Sequence, residues 1–404
     1  MLKTIALLCG IIIIILCNGG CTDPDGHVIL GESEDPQPCE RVIAIINGTL
    51  IDGTGADPQS LTTIVICDGL IEQVGLNSEI AVPDSAQIID VEGKTVLPGF
   101  INAHVHSDFY KSTIRDFAMD GVTTLRDVGY FGPGSYEALF RNCDTLNTDK
   151  KNSHIVAAGP IVTTVGGYGN YEVTSIDDAA RGVAELIDSG ADLIKITIEN
   201  NLQGRTWPML SQAEIDTIVE TAHAKGVHVS AHISRSAHLS TAVSAGVDDL
   251  AHMTINPITT DLVNLVVEND IYWVPTLELW YGVSQMYQLN WDEIAMNNLR
   301  LFNQAGGKVA IGTDFGGYFT PFDRGIPMTE VRLMAAAGMT PMQIIVAGTK
   351  NAAHVCGLED QIGTIEEGKI ADIIVLSTNP LGDLDALMDV LAVIHKGEII
   401  YNSL

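Results

Sequence analysis

Basic residues are scarce in this chain. Lysine and arginine together number 21 against 51 aspartates and glutamates, giving a formal net charge of −30 at pH 7. Nucleic-acid phosphate is bound by clustered Lys and Arg, so a nucleic-acid partner is excluded. The acidity reads instead as a soluble, self-repelling surface. No Cys-x-x-Cys spacing occurs among the 7 cysteines, which argues against a thiolate metal site. Cys39, Cys67, Cys143 and Cys356 are widely scattered, and their order alone selects no disulfide pair. No Gly-x-Gly-x-x-Gly follows a first strand, so a dinucleotide-binding sheet lacks its main support. The hydrophobic fraction of 46% is enough to fill a sizeable core and excludes disorder for the bulk of the chain.

The first residues have a different character. Lys3 precedes an apolar run from Ile5 to Cys17, followed by Asn18-Gly19-Gly20-Cys21. The run is short for a membrane span but fits the apolar region of a secretory signal. Small residues before a cysteine resemble the lipobox of bacterial lipoproteins, with polar Asn18 as a departure. Residues 1–21 are therefore expected to be a signal peptide ending at a lipidated Cys21, with an uncleaved anchor as the alternative. Either places the body in an extracytoplasmic space, periplasmic or cell-surface, touching membrane only through that end. Residues 22–40 carry Asp-Pro-Asp-Gly and Pro-Gln-Pro with little to bury, and read as a flexible tether.

Residues 41–97 and 362–404 share one texture, short apolar strands with turn signals. Asn47-Gly48, Asp68-Gly69 and Lys396-Gly397 are the expected turns. Two β-rich ends around a different middle predict a small β-sandwich assembled from both. Residues 98–361 alternate strand and helix, the pattern of a parallel sheet covered by helices. Ser175 to Ser189 reads as a helix closed by Gly190, and Leu193 to Ile198 as a buried strand. Ser211 and Glu214 have capping-box spacing, and Thr340-Pro341 a cap followed by a first-turn proline. Segments near Phe100, Val122, Ile155, Leu193, Val227, Asp249, Ile271 and Lys308 make eight strands, which predicts an α/β fold of the (β/α)8 TIM type. A doubly wound open sheet is the rival.

Polar residues stand at the ends of these apolar strands. His104 and His106 are spaced i, i+2, so in a strand both point to one face. Lys195, His232, His252 and Asp314 each close a later apolar run. A charged lysine or aspartate inside a barrel is costly unless it is paired or ligating. Neutral imidazoles on one face suit a divalent metal.

These motifs resemble the amidohydrolase superfamily, metal-dependent hydrolases on a (β/α)8 barrel. The resemblance rests on Pro-Gly-Phe-Ile-Asn-Ala-His-Val-His at Pro98 to His106, Gly-Thr-Asp at Gly312 to Asp314, and Gly-Thr-Ile-Glu-Glu-Gly-Lys-Ile-Ala-Asp-Ile-Ile-Val at Gly363 to Val375. It covers nearly everything after residue 41 and is strongest to the prolidase-like and imidazolonepropionase-related group. It implies two divalent ions, zinc by default. His104, His106 and Asp314 would hold one, and His232 and His252 the other. Lys195, carboxylated by carbon dioxide, would bridge them. Asp314, counted with His252 among the catalytic residues, would take a proton from a metal-bridging hydroxide's parent water and pass it to the leaving amine.

The implied reaction is hydrolysis of a carbon–nitrogen bond in a small molecule such as a dipeptide, an N-acyl amino acid or a cyclic amide. Ester, lactone or organophosphate hydrolysis on the same site is the alternative. A lipid-tethered binding protein that has lost catalysis is a reading of another class. Loops after the strands are expected to select the substrate, with Tyr168, Trp280, Tyr318 and Arg324 as pocket residues. Tyr168 stands where relatives of the prolidase-like group often carry His. A homo-oligomer is compatible with all of this.

Overall fold

A computed structural model of the chain describes residues 39–106, 110–202 and 204–404. The expected signal peptide, Cys21 and nearly all of the tether lie outside the described residues. From Glu40 to Leu404 the chain forms one compact unit. Among the described residues, no helix is long and apolar enough to cross a membrane.

Strands from both ends share one eight-stranded sheet. Ile373–Leu376 pairs antiparallel with Thr95–Pro98 and with Val390–His395, which continues to Glu398–Asn402. On the other side lie Val42–Leu50, Gln59–Cys67 and Leu70–Leu76. The hairpins at Asp68-Gly69 and Lys396-Gly397 form as expected, with Cys67 opposite Leu70 and His395 opposite Glu398. Asn47-Gly48 is not a hairpin turn. It is a bulge within Val42–Leu50, with Asn47 at φ 60° and shifted register on both sides of Gly48. Side-chain partners stabilise the alternative: Asn47 donates to Asp90 Oδ1 at 3.0 Å and accepts from Asn77 at 2.7 Å.

The middle supplies two parallel sheets. Phe100–Val105, Val122–Asp127 and His154–Ala157 form one. Tyr171–Val173, Ile161–Thr164, Leu193–Thr197, His228–His232, Asp249–Ala251 and Tyr272–Val274 form the other, in that order. The predicted eighth strand, Lys308 to Thr313, is not a ladder strand. Single bridges tie its neighbourhood to both sheets, Val309 to Trp273 and Phe315 to Val105. Backbone hydrogen bonds reinforce them, from Ala310 N to Trp273 O at 3.0 Å and from Ala103 N to Ile311 O at 2.8 Å. Gly312 explains the close seam, since a Cβ there would lie 2.4 Å from Val274 Cγ1 and 2.7 Å from His104 Cβ.

The helices begin where capping chemistry places them. Ser175 caps Ile176–Asp188, and Ser211 and Glu214 complete a capping box on Gln212–Ala224. Thr340 and Gln343 do the same for Pro341–Gly348, with proline in the first turn. Each such cap satisfies backbone donors that the helix leaves unpaired, worth about 1 kcal/mol. One helix departs from expectation. Leu277–Tyr287 occupies what reads in sequence as a loop after the seventh strand, and it carries Trp280.

Candidate active site

The C-terminal ends of the parallel strands converge on one cavity of about 230 Å³. His104, on Phe100–Val105, and His106, just beyond it, point the same way as the strand period requires. Their Nε2 atoms lie 3.2 Å apart, and each is 3.0 Å from Asp314 Oδ1. Donor atoms of His104, His252 and Asp314 all fall within 4.8 Å of one another. The His252 ring lies 4.6 Å from that of His104, tilted, and 4.7 Å from that of His232, edge-on. Lys195 and His232, at or near the ends of adjacent strands, also line the cavity. All six metal-ligand candidates are thereby brought together.

Hydrogen bonds on the far sides of the rings set their orientation. His106 Nδ1 is 2.9 Å from Gly129 O, so a proton held there leaves Nε2 as a lone pair facing the cavity. His252 Nδ1 lies 2.8 Å from Thr276 Oγ1. His252, Thr276 and Asp314 all adopt left-handed backbone, at φ 73°, 48° and 69°. Such conformations cost free energy in non-glycine residues and persist only where the surroundings enforce them. Here Trp273 Nε1 donates to His252 O at 2.7 Å and Trp280 Nε1 to Met253 O at 2.9 Å. Gly317 lets Asp314 and His106 approach, since a Cβ there would sit 2.6 Å from Asp314 Oδ1 and from His106 Cδ2.

Burial governs the electrostatics. It pulls His104 and His252 well below the usual imidazole range, with Lys195 adding to the first and His232 to the second. His232 is also lowered by burial, partly offset by Glu199. His106 goes the other way, because its contact with Asp314 outweighs burial. Burial pushes the Lys195 ammonium down to about 7, so near neutral pH much of it is free amine. Lys195 Nζ, His104 Nδ1 and His232 Nε2 are buried without a hydrogen-bond partner. Buried polar atoms are normally satisfied, and these three belong to residues of the cavity wall, as fits a place that takes a ligand. Imidazoles held as neutral donors, one carboxylate and an amine without a partner fit divalent metal ions.

Tyr168, Trp280 and Tyr318 line the cavity as expected. Tyr168 packs 4.9 Å from the His232 ring and 5.1 Å from Trp207. Arg324 does not reach it. The chain turns away after Thr320, with Asp323 N anchored to Glu278 Oε1 at 2.6 Å, and the exposed Arg324 lines a separate groove with Asp120 and Met388. The arginine in the cavity wall is Arg205, on the hairpin formed by Asn201–Leu202 and Arg205–Thr206. Nothing local in the sequence distinguishes it from Arg324, which was expected in its place.

Two buried carboxylates escaped notice in the sequence. Glu199 accepts from Asn201 N at 2.8 Å and from Ser234 Oγ, and lies 3.7 Å from His232 Nε2, a charge contact longer than a hydrogen bond. Burial would raise its pKa, but His232 and those donors hold it down at about 2. Glu330, fully buried on Met328–Ala336, accepts from Glu278 N at 2.6 Å in the first turn of Leu277–Tyr287. It thereby braces the helix that starts at Thr276 and presents Trp280. A Glu just after an apolar strand was the only signal for Glu199, and nothing local marked Glu330. His238 is buried in the short turn Ser236–His238 and does not line the cavity.

Histidines, a carboxylate and an unpartnered amine gathered at parallel strand ends define a metal-binding α/β hydrolase. The chain belongs to the amidohydrolase family, whose profile matches residues 95–400. It is therefore a hydrolase of the class that acts on amide carbon–nitrogen bonds. Ochratoxinase of Aspergillus niger is 25% identical over 88% of this chain and 85% of its own length. Imidazolonepropionase of Haloarcula marismortui is 23% identical over 82% of this chain and 87% of its own. The crystal structure of a Xaa-Pro dipeptidase with bound methionine is 27% identical, with a TM-score of 0.77, covering 89% of this chain and 99% of that one. The structural neighbours of this family are TIM-type barrels.

Proposed function

We propose that this chain is an exported amidohydrolase that cleaves the amide bond of a dipeptide, an N-acyl amino acid or a cyclic amide. The observation that carries the reading is the convergence of His104, His106, His252 and Asp314 beside the unpartnered amine of Lys195. His104, His106 and Asp314 would hold one divalent ion and His232 and His252 a second, zinc being the default for histidine-rich hydrolytic sites. Such ions supply an acidified water and a polarised carbonyl.

The chain's own groups do the rest. Lys195, an amine near neutral pH, attacks carbon dioxide through its nitrogen lone pair and releases a proton, and the carbamate offers two oxygens where an ammonium offers none. The Asp314 carboxylate faces the cavity and receives a proton from the attacking water, then returns it to the departing amine nitrogen. Tyr168, Trp280 and Tyr318 wall the site and limit bulk water.

The same proposal covers architecture and location. The bridges on either side of residues 308–315 support one closed (β/α)8 barrel. In the terminal sheet, Val42–Leu50 pairs with Gln87–Asp90 before its bulge and with Thr95–Pro98 after it, which supports two β layers diverging there. Export and tethering at Cys21 rest on the sequence of the first residues alone.

The test loads purified protein with zinc in bicarbonate and screens dipeptides, N-acyl amino acids, cyclic amides, esters and lactones, beside a chelated sample. Amide turnover that chelation abolishes is the expected result. Turnover of esters or lactones alone would replace the amide reading, and two bound ions without any turnover would point to a binding protein.

A further inference from the structure

The cavity has an uneven charge inventory. Its wall is mostly apolar or aromatic, with Leu202, Trp207, Leu279 and Val283 beside the residues named above. Apart from the histidines it has two basic residues, Lys195 at the buried end and Arg205. Lys195 is buried, and the reading above commits it to the metal site. Arg205 is exposed on its hairpin.

Arg205 has no acidic partner among the described residues, in a chain where acids outnumber bases 51 to 21. Arg41, Arg115, Arg126, Arg181 and Arg332 contact carboxylates, and of the other arginines, Arg205 alone lines the cavity. The nearest acid in sequence, Glu199, is turned inward toward His232 and Ser234. The hairpin bearing Arg205 is braced from several sides. Arg235 Nε donates to Asn201 O at 3.0 Å, Trp207 N to Asn200 O at 3.0 Å, and Trp207 packs on Tyr168, which packs on His232. The guanidinium is thus presented from an anchored element, not from a free loop tip.

We infer that Arg205 is a specificity residue that binds the free carboxylate of the substrate, so that the preferred substrate is an N-acyl amino acid or dipeptide and not an uncharged cyclic amide. The guanidinium offers two parallel N–H donors to a carboxylate, and the apolar wall accepts a hydrophobic side chain or acyl group. On a surface this acidic, an anion has few other side chains to settle on, so the one arginine in the cavity wall decides the preference. This rests on the amide-hydrolase reading, and the experiment separates the two.

The probes are N-acetyl-L-leucine and N-acetyl-3-methylbutylamine, the same skeleton without its carboxylate, with the zinc-loaded protein and its Arg205→Met and Arg205→Lys variants. Arg205→Met is expected to lower kcat/KM for N-acetyl-L-leucine by about 10- to 100-fold, mostly through KM, and to leave the uncharged probe unchanged. Arg205→Lys recovers part of the loss. Calorimetric binding of N-acetyl-L-leucine to Asp314→Asn protein, with and without Arg205→Met, reads recognition without turnover. Arg205-dependent binding without turnover of any amide would sustain the inference and overturn the amide-hydrolase reading. Turnover with an unchanged preference between the probes, or binding indifferent to Arg205→Met, would overturn the inference.

Discussion

Two ionisable side chains, Asp249 and Lys195, lie fully buried on parallel strands with His228–His232 between them, and they are treated in opposite ways. Asp249 receives both guanidinium nitrogens of Arg126, at 2.7 and 3.0 Å, and the Ser230 hydroxyl at 2.7 Å. Arg126 also donates to Ala103 O and Val355 O, each at 2.7 Å. Lys195 sits opposite Ser230 in the ladder, with Ser230 opposite Asp249, yet its amine has no partner. Burial alone would depress both cations. For Arg126 the carboxylate outweighs burial and raises its pKa, whereas for Lys195 burial wins. The satisfied pair ties the strand of His104 to that of His252 and so belongs to the scaffold. The unsatisfied amine gives the scaffold no hydrogen bond, which is what the proposed chemical role of Lys195 requires.

Breaking the reactive side should have the largest effect. Asp314→Asn is expected to lower amide turnover by about 10²- to 10⁴-fold, the range of a lost proton-transfer group, with an unchanged thermal melt. Next comes the scaffold. Asp249→Asn strands a buried guanidinium and should cost about 3–5 kcal/mol in urea unfolding. In metal-free protein Lys195→Met should cost nothing or stabilise, since it removes a buried amine with no partner, while abolishing turnover. Equal losses for the two substitutions would erase the contrast drawn above.

A third buried centre sharpens it further. Burial raises Glu278 and Glu330 to about 8, so folding holds both protonated well above their ordinary 4.5. The sign follows from linkage: their contribution is fully present below about 4.5 and is lost as pH rises through about 8. Glu330→Gln keeps an acceptor for Glu278 N but cannot ionise. Its stability should therefore fall less steeply than that of the native chain between pH 5 and 9, in denaturant titrations across that range. Parallel slopes would mean that Glu330 does not titrate there. The smallest effect belongs to the surface: Ser211→Ala removes one half of a capping box and should cost about 1 kcal/mol without touching turnover.

The residues that share the cavity were legible in the sequence because each lies at or near the end of a short apolar run, and a charged residue there has few innocent explanations. The capping boxes at Ser211 and Thr340 were legible for a similar reason, being local patterns that need no knowledge of the fold. Asn47-Gly48 misled because the same dipeptide serves a bulge when Asn77 and Asp90, far along the chain, supply hydrogen bonds. Arg205 and Arg324 could not be told apart, since the difference lies in how Glu278 anchors Asp323 and turns the later loop aside. Trp280 was assigned to the site correctly but to a loop wrongly. The helix that carries it begins at left-handed Thr276 and is braced by Glu330, some fifty residues later, so no local cap announced it.

Glu199 joins two jobs that evolution usually varies separately. One carboxylate oxygen faces His232 and Ser234, and the other accepts from Asn201, where the Arg205 hairpin begins. Insertions or drift in that hairpin would therefore disturb His232, a proposed metal ligand, as well as the cavity wall. Change in substrate range should enter this lineage through the loop at Tyr318 or the helix of Trp280, while the hairpin stays nearly fixed in length.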